Sequence, residues 1–181
     1  VTEEMTKPNR ETSSASERQA SPRLARVLRD FRLLLIALWF GAAVYFSFAV
    51  APSAFGVLTS REMAGSVVSR TLSIINVGGF IISLLLLATA FLFRELVSKR
   101  AFYSELALLG LVAVVTFVGE WVIAARLHAL RGAMGRPVDE VALTDPLRVA
   151  FNSLHGYSVM ALSLGMIAAV IVLLLVARRS K

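Results

Sequence analysis

The residue with most capacity for chemistry is an acid inside an apolar run. Glu120 lies within the stretch from Leu106 to Ala125, with Thr116 four residues before it and Ala113 seven before it. On a helix these three share one small, weakly polar face, of the kind that turns toward a bundle interior. An ionised carboxylate in hydrocarbon is costly unless it is paired, hydrated or protonated. Glu120 therefore reads either as a carboxylate that takes a proton or a cation, or as an interfacial acid that reaches water or an arginine.

A second polar group stands where the last apolar run begins. Arg148, Asn152 and His155 are spaced four and three apart, so they fall on one helical face. Asn76 stands near the start of another apolar run. If the four runs cross a bilayer in turn, these residues reach a similar depth on one side. Glu120, Asn152, His155, Arg148 and Asn76 then form one outward-facing polar pocket for a small cation, a proton or a polar solute. The alternative is a hydrogen-bonded cluster that locks helices together in a structural or accessory subunit.

Other chemistry is poorly supported. There are no cysteines, which excludes disulfides, zinc thiolates and iron–sulfur clusters. The two histidines, His128 and His155, could join Glu120 around zinc, copper(II) or iron, but no ligand spacing is diagnostic. Neither histidine lies deep in an apolar run, which disfavours bis-histidine haem and a redox subunit. No metal or cofactor is assigned. Met160 and Met166 form no copper-relaying ladder, and no nucleophile–base pair, phosphate loop or paired carboxylates appear. A non-enzymatic protein is expected. The net charge is +7, but no nucleic-acid-binding motif accompanies it, so no nucleic-acid partner is expected.

The elements that hold these residues follow from hydropathy. Of the 181 residues, 57% are hydrophobic and 17% charged, against about 25% charged in soluble chains. The apolar residues gather in runs of about 20, the length of helix that spans a hydrocarbon layer of about 30 Å. The fold expected is an all-α integral membrane four-helix bundle. Its spans are 33–51, 72–93, 106–125 and 153–176, within a membrane domain of 33–177. Residues 1–22 read as a disordered polar tail. Residues 23–32 read as a basic amphipathic lead-in, with Arg23, Arg26, Arg29 and Arg32 at every third position. It suits an anionic leaflet, or simply signals orientation.

Ala49-Val50-Ala51 resembles a signal-peptidase site, but the run before it is too long and Pro52 follows, so the first span is retained. Pro52 is expected to end or kink it. Residues 53–71 read as a connection too polar to cross, with room for a short amphipathic helix. Asp145-Pro146 reads as a helix start, with Asp as the cap and Pro at the first position.

With both termini cytoplasmic, 13 of the 19 Lys and Arg residues lie inside. The positive-inside rule thus favours that orientation in a bacterial-type inner membrane. Small residues recur four apart: Ala43, Ser47 and Ala51; Gly79 and Ser83; Ala161, Gly165 and Ala169. These let backbones approach closely, within the chain or between two copies. The partners expected are the lipid bilayer, a small solute or cation, and a second copy of the chain, since four spans are few for a stand-alone transporter.

Two segments, WFGAAVYFSFAVAP in the first span and TDPLRVAFNSLHGYS leading into the fourth, carry a resemblance. With the order of the spans, they resemble the family containing transmembrane protein 205, domain of unknown function 4149. The telling residues are Asp145-Pro146, Phe151, His155-Gly156 and Ser158. The resemblance implies a four-helix integral membrane protein. It supplies no catalytic residue. Eukaryotic members are linked with platinum-drug resistance; the absence of cysteine here is at odds with sulfur-based handling of platinum.

Overall fold

Heptad-spaced burial explains the architecture. Buried residues of the last helix include Ser158, Leu162, Gly165, Ala169, Val172 and Val176, alternating four and three apart, with Ala168 beside them. Ile36, Trp39, Ala43 and Phe46 repeat that spacing on the first span. Phe102, Glu105, Leu109, Val112 and Thr116 do so on the third. Such stripes make a narrow seam of coiled-coil type. The remaining apolar side chains face outward, Phe48, Leu38, Ile74 and Ile167 among them. A chain that hides a narrow seam and exposes its other apolar faces is suited to lipid on the outside.

The structure is a computed structural model and describes residues 22–96 and 98–178. The expected tail, apart from Pro22, lies outside those residues. Among them there are four helices long and apolar enough to cross a membrane: Arg26–Val57, Arg61–Ala90, Lys99–Met134 and Pro146–Arg178. The first span is α1 (Pro22–Tyr45), a π-helical turn (Phe46–Val50) and α2 (Ala51–Val57). The second is α3 (Arg61–Ala90), followed by a 3₁₀ stretch at Phe91–Leu96. The third is α4 (Lys99–Phe117), a π-helical turn (Val118–Ala124) and α5 (Ala125–Met134). The fourth is α6 (Pro146–Arg178). α3 packs on α4, α4 on α6, α6 on α1, and α1 on α3, which closes the ring.

Local signals set the ends. Ser60 and Ser98 accept the backbone N–H of Met63 and Ala101 and cap α3 and α4. Asp145 Oδ1 accepts from Leu147 N at 2.8 Å, and Pro146 opens α6. Gly135, at φ 62°, ends α5 in the left-handed conformation that glycine adopts freely. Pro52 does not end the first span. The π turn at Phe46–Val50 immediately precedes it and places it in the first turn of α2, where proline is tolerated.

The helices outrun the expected spans. α3 starts at Arg61 where an apolar start at 72 was expected, and α5 carries the third helix to Met134. Charge limits what crosses hydrocarbon but does not stop a helix, and a polar turn propagates readily from an apolar one. The lead-in is likewise continuous with the first span.

Small residues pack within the chain. Ala43, Gly79, Ser83, Gly165 and Ala169 are buried. The Trp39 indole lies between Gly79 and Gly165 and donates Nε1–H to Ile75 O at 2.9 Å. A Cβ on Gly79 would fall 2.3 Å from Trp39 Nε1, so only glycine admits the ring.

Candidate functional site

Two polar clusters stand at opposite ends of the bundle. At the end that holds residue 22 and Arg178, Arg32 on α1 and Glu105 on α4 are 5% and 2% exposed and form an ion pair. Arg32 also donates to Leu86 O at 3.1 Å and Thr89 Oγ1 at 2.5 Å, both on α3. A buried charge pair is tolerable only when its remaining donors and acceptors are matched, and the guanidinium fork does this across three helices. The expectation that Arg32 faces a leaflet is corrected here: it is folded into the bundle. The signal was present, since Arg32 precedes Ile36 and Trp39 by four and seven, and Glu105 precedes Leu109 and Val112 likewise. Both sit on the stripes that become the seam.

At the other end a cleft of about 480 Å³ opens between the second and third spans. Ser66, Ser69, Arg70, Ser73 and Asn76 line it from α3. Their spacing of three and four puts them on one helical face. Gly119, Glu120 and Ala124 line it from the π turn, and His128 and Arg131 from α5. Ser158 of α6 closes the back. The adjoining crevice, between Trp39, Asn76, Thr116, Ser158 and Gly165, has no room for a water molecule. On that side the cleft stops at the packed seam.

Glu120 marks the deep end. Oε1 accepts the Ser73 hydroxyl at 2.6 Å, while Oε2 is buried with no hydrogen-bond partner. A buried acceptor left without a donor is uncommon and costs about 1–3 kcal/mol. The π turn that carries Glu120 also brings Gly119 against Asn76, whose Nδ2 would lie 3.0 Å from a Cβ there. π turns inside α-helices are frequent at functional sites, because the extra residue re-aims side chains. Trp121, stacked on Phe117 with centroids 4.9 Å apart, forms a side wall.

Arg131 is at the shallow end. Its Nη1 donates to Ser69 Oγ at 3.3 Å, and its guanidinium lies 5.2 Å from the centroid of Phe151 on α6. It forms no ion pair with Glu120. Ser69 and Ser73 are four residues apart on α3, about 6 Å along the axis, so the two charges are held about one helical turn apart.

Of the five residues expected to share a pocket, Asn76 and Glu120 line this cleft. Asn152 and His155 are exposed on α6 and do not line it. α6 continues beyond the seam at this end, so a heptad position no longer guarantees a facing helix. Arg148 donates to Asp139 O at 3.3 Å and to Val141 O, and so ties the 135–145 connection to the start of α6. The pocket was thus composed differently from the expected one. Ser66, Ser69, Ser73 and Arg131 take the places assigned to Asn152, His155 and Arg148. The serine spacing was visible in the sequence but lay in what read as a connection. Among the described residues, no three His, Asp or Glu side chains come together as a metal site.

A family model described as a domain of unknown function, DUF4149, matches residues 34–136. That covers most of the first apolar helix and all of the second and third, including both π turns and most of the cleft. No curated protein and no solved structure matches. The match takes in more than half of the chain, which therefore belongs to the DUF4149 family of domains of unknown function.

Proposed function

We propose that this is a non-enzymatic membrane protein that holds a small polar solute in the cleft between its second and third spans, with Glu120 as the principal binding group. The observation that carries this reading is the Glu120 carboxylate lining a cleft large enough for a small molecule, held there by the Ser73 hydroxyl. A solute N–H or O–H donates to the carboxylate from the cleft, and the Ser73 hydroxyl fixes its orientation.

In the membrane, the chain lies with both termini in the cytoplasm and the cleft on the outer side of a bacterial-type inner membrane. The excess of Lys and Arg at the terminal end supports that orientation. Glu120 then sits 15 residues beyond Glu105, about 22 Å along the helix, in the outer third of the hydrocarbon layer. The Arg131 backbone lies about 16 Å farther, at or above the surface, and its side chain reaches back to Ser69. The cleft thus joins outer water to a carboxylate at membrane depth, while the Arg32–Glu105 pair ties the cytoplasmic end shut. Kinship with transmembrane protein 205 is part of the same proposal. It rests on the Asp145 to Ser158 motif, which lies beyond the matched segment.

The test is thermal stabilisation of the purified chain, in lipid nanodiscs, by a panel of small amines, amino acids and monovalent cations. Members of the panel raise the melting temperature of the parent and not of Glu120→Gln. Absence of any shift, or equal shifts in parent and variant, contradicts the proposal.

A further inference from the structure

We infer that the ligand of this cleft is a small zwitterion, a molecule carrying both an ammonium group and an anionic oxygen group. The inference rests on the reading of the cleft as a binding site and names its ligand class. Three observations converge on it.

The first is the Glu120 carboxylate, held in the cleft by the Ser73 hydroxyl. The second is an opposite charge that the protein keeps away from it. Arg131 lines the same cleft, donates one N–H to Ser69 and lies over Phe151, with Glu62 as a nearby acid, and its guanidinium is the cationic group an anionic oxygen meets there. The third is the ruler between them. Ser73 holds Glu120 and Ser69 holds Arg131, one turn apart on the same face of α3. A rise of about 6 Å, with a hydrogen bond at each serine, sets the charges roughly 6–10 Å apart. A ligand whose ammonium nitrogen and anionic oxygen are about 3–4 Å apart bridges that gap with a bond of about 2.8 Å at each end.

Glu120 and Arg131 both line the cleft, so a ligand carrying a single charge meets its like charge there as well as its opposite. Ser66 and Asn76 add hydrogen-bonding capacity without adding charge. The same chemistry occurs in free amino acids and in phosphoethanolamine headgroups, and the cleft spans the depth at which either is found.

The experiment is calorimetric titration of the full chain in phosphatidylglycerol nanodiscs with β-alanine and O-phosphoethanolamine. Ethylammonium and methyl phosphate serve as the single-charge halves. Each half is expected to bind about 10–100-fold more weakly than the zwitterions, the value of one charge-assisted hydrogen bond. Glu120→Gln and Arg131→Gln should each lower zwitterion affinity to the level of the remaining half, with Arg131→Lys retaining most of it. Repeating the titration in phosphatidylethanolamine nanodiscs identifies the source. Weaker apparent binding there assigns the site to a lipid headgroup, and unchanged binding assigns it to a free solute. If ethylammonium binds as tightly as the zwitterions and depends on Glu120, the zwitterion is refuted while the binding site stands. If none of the four binds, both fall.

Discussion

Removing one partner of the Arg32–Glu105 pair should cost far more than removing both. Glu105→Leu removes the carboxylate from a guanidinium that is 5% exposed and still bonded to Leu86 O and Thr89 Oγ1. Breaking a buried pair in this way costs about 3–5 kcal/mol, because the surviving charge stays desolvated. The double variant Arg32→Met/Glu105→Leu removes the charge along with the partner, and apolar replacements of a buried pair are often neutral. The seam supplies Ile36 and Leu109 as packing neighbours for the new side chains. The double variant should therefore fall within about 1–2 kcal/mol of the parent, and the cycle should return a coupling of about 2–4 kcal/mol, near the top of the range for residues in contact. Reversible unfolding in mixed micelles, followed by helical circular dichroism, measures all four corners. A single variant that loses less than about 1 kcal/mol, as an exposed pair would, refutes the buried geometry.

Two further outcomes follow from the packing. Gly79→Ala should destabilise by about 1–3 kcal/mol, since its Cβ meets the Trp39 ring, whereas Gly41→Ala, with nothing within 4 Å, should be neutral or slightly stabilising in the same unfolding assay. Asp145→Ala should cost about 1 kcal/mol by removing the acceptor for Leu147 N, and should raise amide exchange in the first turn of α6 without altering the rest of the helix.

The sequence made some levels of this structure legible and hid others. Four apolar runs are readable because a hydrocarbon-length helix leaves a composition signal that nothing else imitates. Caps are readable for a similar reason: Asp145-Pro146 acts within two residues of itself. Helix ends were misjudged where composition stood in for conformation. Arg61 to Thr71 is polar and helical at once. The site was half legible. Glu120 stands out as an acid in an apolar run, and Asn76 as an amide near it. The partners of Glu120 depend on which face each helix turns inward, and on how far the neighbouring helices extend. His155 shares the register of Ser158 and Leu162 yet lies exposed, while Ser73, in an unremarkable serine-rich stretch, holds the carboxylate. The two π turns shift register by one residue, and no propensity marks them. Arg32 and Glu105 were hidden by expectation: at the ends of apolar runs, charges usually mark a surface.

The central claim is that the cleft at Glu120 is open to water from the side opposite the termini. The chain has no cysteine, so single-cysteine variants report without background. Ala124→Cys lines the cleft, Ala169→Cys is 0% exposed in the seam, and Lys99→Cys is exposed at the terminal end. With a membrane-impermeant thiol reagent on intact spheroplasts, the account predicts that Ala124→Cys is modified. Lys99→Cys should react only after permeabilisation, and Ala169→Cys not at all. An Ala124→Cys thiol that stays unreactive, or that reacts only from the side that exposes Lys99→Cys, contradicts the account.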